Sequence, residues 1–234
     1  MKDYELEFDR KCHVIYSIKC KEEIQKMIAT HYEKENQEKI WERVQLQFVE
    51  YLKNYRKDLG GKKNFHNGVC ETYDCIALIS YYKVCKDKAN LPEIEEAIDN
   101  MLLPSFKKLG KVVDCNKPFF KKILYKSFKS AKRRCDKWND YVMNIDDFSK
   151  DKPIYYEFTR CPVAEFAKEN DVLEVMPALC NGDFKAMELI HAKLIRKTTC
   201  SNGKRCDYTI CGDKDSYIKE HPEYIDEEGY KRNK

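Results

Sequence analysis

Several things are missing from these 234 residues, and each absence removes a class of function. No apolar run approaches the roughly 18 residues that a membrane span requires. The opening MKDYELEFDRK has no apolar core of the kind a secretory signal carries, so a cytoplasmic protein is expected. No glycine-rich nucleotide loop, serine-hydrolase elbow or His-Glu-x-x-His pair occurs, which leaves the commonest enzyme classes without support. There is no internal repeat and no nucleic-acid motif. Twelve lysines and arginines in residues 107–137 meet only Asp114 and Asp136. They read as the solvated face of a helix, and no nucleic-acid partner is expected.

What the chain does have is cysteine, twelve of them. In a reducing compartment these are core residues, metal ligands or nucleophiles rather than a disulfide framework. With 42% hydrophobic and 36% charged residues, the composition suits a globular chain with a strongly solvated surface.

Periodicity divides the chain into two halves. CHVIYSIKC is equally a strand or the start of a helix. Residues 21–57 read as one helix, with Trp41, Val44, Phe48, Tyr51, Leu52 and Tyr55 on one face and Gly60-Gly61 as its stop. A second helix over residues 71–86 puts Tyr73, Ile76, Ala77, Ser80 and Val84 on one side. A third starts at Leu91-Pro92 and stops before Pro104, and a fourth starts at Pro118 with an apolar edge from Phe120 to Trp138. Then the period changes. YVMNIDDF and PIYYEFTR read as strands joined by SKDKP, followed by a helix with Pro162 at its first position. VMPALC is a short helical passage, NGDF a cap for the helix through KAMELI, and HAKLIRKTTC and KRCDYTIC a hairpin about SNG, whose glycine supplies a positive φ. The expected architecture is α+β: a helical region (1–138) packed on a small, mainly antiparallel α/β region (139–216). Residues 217–234 form a polar tail expected to fray, and the whole is one compact unit.

The candidate chemistry gathers in residues 156–215. Cys161, Cys180 and Cys206 each stand where an element begins or ends, and each has a carboxylate nearby: Glu165, Asp183 and Asp207. A thiol is activated by a helix N-terminus or a neighbouring cation, and Cys161 has both Pro162 and Arg160 beside it. Any one of these cysteines is by default an inert core residue. A divalent metal is the alternative for the same residues, held by Cys161, Cys180 and Cys206 with Asp183, Glu165 or His191 as a further ligand. Cys200, Cys206 and Cys211 lack the Cys-x-x-Cys spacing of structural zinc sites. His191 would be a base, a ligand or a structural histidine. His66 lies in GGKKNFHNG, a loop that either covers a site or joins helices.

TRCPVAEFAKEN, MPALCNGDF and TTCSNGKRCDYTI occur in that order. The set resembles the L-2-amino-thiazoline-4-carboxylic acid hydrolase family, found mainly in bacteria, in which Arg-Cys-Pro, Leu-Cys with a following Asp-aromatic, and Gly-x-x-Cys-Asp-aromatic recur. The resemblance is clear over residues 140–213, with Cys200 and Cys211 added around the last motif. It implies a small-molecule hydrolase acting on a cyclic amidine-like C=N bond. In the named reaction a 2-aminothiazoline ring opens to N-carbamoyl-cysteine. On that reading Arg160 holds the substrate carboxylate, Asp183 or Glu165 binds the amidinium and moves a proton, and Cys161 or Cys180 attacks the ring carbon or ligates a metal. Cys206, Asp207 and His191 complete the substrate contacts, although Asp207 serves equally as a turn acceptor. The alternative is a non-catalytic module that binds a small molecule or a metal.

Overall fold

The computed structural model describes residues 16–55, 71–138 and 141–234. The chain is α+β, with helices α1 (Ile18–His31), α2 (Lys34–Tyr55), α3 (Glu71–Val84), α4 (Leu91–Leu109) and α5 (Pro118–Trp138) preceding the sheet. After β1 (Val142–Ile145) and β2 (Ile154–Arg160) come α6 (Pro162–Glu169), α7 (Met176–Cys180) and α8 (Gly182–Glu188). Strands β3 (Ala192–Ile195), β4 (Cys206–Gly212), β5 (Glu223–Ile225) and β6 (Lys231–Asn233) follow.

The long first helix of the sequence reading is two helices. Ser17 caps α1 by accepting from the Cys20 amide, and the chain turns extended at Tyr32 before α2 begins. The stripe of Val44, Phe48, Tyr51 and Leu52 is buried as expected. Helix α3 is buried on all sides rather than one, since Thr72, Leu78, Ile79 and Tyr81 are as enclosed as Tyr73 and Ile76. It lies among α1, α2 and α6. Ser80 tolerates that position because its hydroxyl donates to the Ile76 carbonyl at 2.7 Å. Helix α4 runs through Pro104 instead of stopping there. The SKDKP strands and the start at Pro118 fall where periodicity puts them. The CHVIY segment before Tyr16, the Gly60-Gly61 stop and the His66 loop lie outside the described residues.

The four main strands form an antiparallel sheet in the order β1-β2-β4-β3. Tyr156 opposes Tyr208, Phe158 opposes Cys206 and Ile154 opposes Ile210. Side chains alternate along a strand, so these residues share one face. That face packs on α5 and α8 through Phe128, Phe184 and Met187. A second core joins α1–α4 to α6 and α7 and includes Cys200, Cys206 and Tyr230. Phe158 and Tyr208 touch both cores, so the two halves of the chain meet where β2 ends and β4 begins.

Three local expectations change. Strand β3 stops at Ile195, and residues 196–205 form a long connection instead of a tight SNG turn. Side-chain bonds replace the ladder there: the Asp207 carboxylate accepts from the Lys197 and Thr198 amides, and Thr199 Oγ1 pairs with Asn202. Among the described residues the left-handed glycine is Gly229 (φ 90°), not Gly203. Asn181 does not cap α8. Its backbone is helical, and its side chain reaches the Gly229 carbonyl and the Lys231 amide. Those partners belong to the polar tail, which is a β5–β6 hairpin with Tyr230 and Asn233 buried rather than a frayed end. Its backbone groups are satisfied by the body of the protein, which offsets the entropy of ordering it.

Candidate active site

Four pieces of chain converge at the junction of the two cores. Strand β2 delivers Cys161, which stands at the N-cap of α6 with extended φ and ψ. Its thiol makes no capping hydrogen bond, although the Val163 and Ala164 amides face the sulfur and favour its thiolate. Burial outweighs them and, reinforced by Cys206, pushes the thiol well up. Cys180 ends α7, half-buried. Burial raises its thiol to about 12, and the largest opposing effect is the Arg196 cation, helped by the Ser201 hydroxyl. Asp183 follows in the first turn of α8. Its Oδ2 accepts from Tyr208 Oη at 3.1 Å and from Arg196 Nη1 at 3.3 Å. Surrounding protein raises the Asp183 carboxyl, against the pull of Arg196 and Tyr208. The side chain is still 43% exposed, so solvent limits that rise.

Arg196 is the centre of this group. It is 0% exposed, with its guanidinium stacked over Phe184 at 4.9 Å and near the Tyr208 ring at 5.7 Å. Nη1 also donates to the Cys180 carbonyl at 3.2 Å, but Nε and Nη2 are buried with no hydrogen-bond partner among the described residues. A buried cation with two empty donors is costly unless an anion comes to meet it. Tyr208 is fixed in turn by stacking on Tyr156, with 4.6 Å between centroids and 8° between planes.

The sulfurs of Cys161, Cys180 and Cys206 lie within electrostatic reach of one another. Cys206 is committed elsewhere, since its Sγ accepts from the Cys200 amide at 3.0 Å while Cys200 Sγ donates to the Phe158 carbonyl. Among the described residues no three Cys, His, Asp or Glu side chains are arranged to hold a metal, so the Cys161, Cys180, Cys206 set does not form one.

The other sequence candidates are placed apart. Arg160 and Glu165 bind each other, with both Glu165 oxygens 3.0 Å from Nε and Oε2 2.9 Å from Nη2. That fork is therefore occupied by α6 instead of presented to a carboxylate. Asp207 points to the opposite sheet face from Cys206, as alternation requires, and anchors the 196–205 connection. His191 sits in a left-handed conformation (φ 57°) at the far end of β3 from Arg196, against Asp213 at 3.3 Å. Arg196, Tyr208 and Ser201 were absent from the sequence reading. Alternation held the signal for the first two: Ala192, Leu194 and Arg196 share a parity, as do Cys206, Tyr208 and Ile210.

The sequence model of the L-2-amino-thiazoline-4-carboxylic acid hydrolase family matches residues 71–210, from the start of α3 into β4, and takes in Cys161, Cys180, Asp183, Arg196, Cys206 and Tyr208. This chain belongs to that family. No curated protein and no solved structure matches it. The match reaches well into the helical half, beyond the three cysteine motifs, and the family is named for a hydrolase. The β5–β6 hairpin lies outside the matched residues.

Proposed function

We propose that this family member is a hydrolase that opens a cyclic amidine-like C=N bond of a small molecule, of the type 2-aminothiazoline-4-carboxylate to N-carbamoyl-cysteine. The observation that carries the reading is the meeting of Cys180, Asp183 and Arg196 in one place, all inside the family match. Cys180 is preferred to Cys161 as nucleophile because only Cys180 has a cation, a carboxyl and a hydroxyl around it. An attacking thiol needs its proton taken and its developing charge met, and those groups do both.

In the proposed sequence Cys180 Sγ attacks ring carbon C2 while its proton passes to Asp183. The C2–S ring bond then breaks, and the ring sulfur leaves as a thiol with that proton. C2 stays on Cys180 as an isothiourea. Water then adds to C2, with Asp183 taking one of its protons. The remaining hydroxyl proton passes to the ring-derived nitrogen N3 as the ureido carbonyl forms, the C2–Sγ bond breaks, and Asp183 returns its proton to the Cys180 sulfur. One water is consumed overall and the enzyme thiol is restored. Protein around Asp183 that raises its carboxyl makes it a better proton acceptor.

Purified protein incubated with 2-aminothiazoline-4-carboxylate, with chromatography of the product, tests the reading. N-carbamoyl-cysteine is the expected product. No turnover, with or without added divalent metals, would sink the assignment, and binding without turnover would make the protein a ligand-binding module.

A further inference from the structure

The unexplained feature of the site is the pair of empty donors on Arg196, and next to it lies a second feature that the reaction does not use, the β5–β6 hairpin. The hairpin staples both arms of the site. On one side Asn233 Oδ1 accepts from the Arg196 amide at 3.0 Å, and the Asn233 amide donates to the Arg196 carbonyl at 2.9 Å. Arg232 Nη1 donates to the neighbouring Lys197 carbonyl. On the other side Asn181, between Cys180 and Asp183 in sequence, donates to the Gly229 carbonyl at 3.0 Å and accepts from the Lys231 amide at 2.9 Å. The exit of β3 and the α7–α8 junction are thereby held at a fixed separation, with the guanidinium between them.

We infer that Arg196 is a positioning residue, a fixed counter-ion shared by the Asp183 carboxylate and the Cys180 sulfur, and that the β5–β6 hairpin is the clamp that sets it. Nη1 already serves Asp183. When the proton moves from Cys180 to Asp183 the negative charge moves from carboxylate to sulfur, and Nε and Nη2 are the donors left free to meet it. The cation keeps one counter-charge throughout, so nothing new has to be desolvated. The titratable groups facing the guanidinium are Cys180, Asp183, Tyr208, Cys206 and Tyr156, with Lys231 across the Phe184 ring. Cys180 additionally faces Cys161 and Tyr230. None of these besides Arg196 both is cationic and contacts the Cys180–Asp183 segment from within the core.

The test is the rate of Cys180 alkylation by iodoacetamide between pH 7 and 9 in the full chain, read by peptide mass spectrometry with Cys135 as internal reference. Thiolate is the reactive form, so losing the counter-ion slows alkylation. A merely structural loosening exposes the sulfur and speeds it. Arg196→Gln is expected to slow Cys180 at least about tenfold, which is one pH unit of thiol acidity. Arg196→Lys should recover most of that loss, and Asn233→Ala should slow Cys180 by a smaller factor. Unchanged or faster alkylation in a folded Arg196→Gln protein overturns the proposal. If that variant does not fold, an unchanged or faster rate in Asn233→Ala overturns it. The inference rests on Cys180 as nucleophile, but alkylation needs no substrate, so a failure to turn over 2-aminothiazoline-4-carboxylate would leave the rates standing.

Discussion

At the scale of residues, the site depends on a charge arrangement that few side chains set. Asp183→Asn keeps the shape of the carboxyl and its contact with Tyr208 while removing the base. Turnover of the thiazoline substrate is expected to fall roughly 10²- to 10⁴-fold, with the melting curve little changed. Cys161→Ser, by contrast, should retain most of the activity, because Cys161 faces amides and, among the described residues, no cation that lowers its thiol. Steady-state kinetics on both variants check this pair, and loss in Cys161→Ser with retention in Asp183→Asn would reverse the roles. The motif cysteines and Asp183 were legible in the sequence because they sit in ordered motifs. The sequence shows Arg160 beside a cysteine but not that Glu165, five residues on, reaches back to bind its guanidinium. Arg196 was readable in principle from strand parity. A charge at the end of a strand ordinarily turns to water, so parity alone does not single it out.

Elements place these residues by meeting end to end. Helices α4 and α8 come together where Gly110, the C-cap of α4, lies against Leu189. A Cβ on Gly110 would stand 1.7 Å from the Leu189 carbonyl oxygen. Backbone cannot yield as a side chain would, so Gly110→Ala is expected to cost roughly 3 kcal/mol or more in urea denaturation. A loss under 1 kcal/mol would show that the two helices can part without consequence. Gly182 is a milder case. Its Cβ would meet the Ile98 side chain at 3.1 Å, which is why glycine at the start of α8 lets that helix lie on α4. In the hairpin, Gly229 holds φ at 90°, so Gly229→Ala should cost about 1 kcal/mol of strain and weaken the clamp on Asn181. Helices with a single apolar stripe were legible, as was the strand pair around SKDKP. The hairpin was not, because its residues are almost all polar. Its order comes from hydrogen bonds to Asn181 and Arg196, which no periodicity reports.

For the whole molecule, the sheet is the joint between two cores, and buried thiols tie its stability to pH. Cys115 and Cys211 are enclosed, and burial pushes their thiols from 9.0 to about 11 and about 12. Because the folded values are raised, the stability they contribute is fully present below about pH 9 and is lost as pH rises toward the folded values. The loss is up to about 1.4 kcal/mol per pH unit for each thiol. Melting temperature should therefore fall between pH 8.5 and 10.5, and less steeply in Cys115→Ala. An equal slope in that variant would remove Cys115 from the account. Among the described residues no helix is long and apolar enough to cross a membrane, and on α5 Lys122, Lys126 and Lys137 are exposed while Lys121 turns to the Lys150 and Lys152 carbonyls. The family match, the junction of the cores and the Cys180–Asp183–Arg196 contact all fall on the same part of the chain. The most direct test follows the reacting atom itself, with 2-aminothiazoline-4-carboxylate labelled with ¹³C at C2 and observed by NMR. Wild-type protein should move the C2 signal to that of a ureido carbonyl, and Cys180→Ser should leave it in place. A signal that stays put with the wild type, or moves equally with Cys180→Ser, would contradict the central claim.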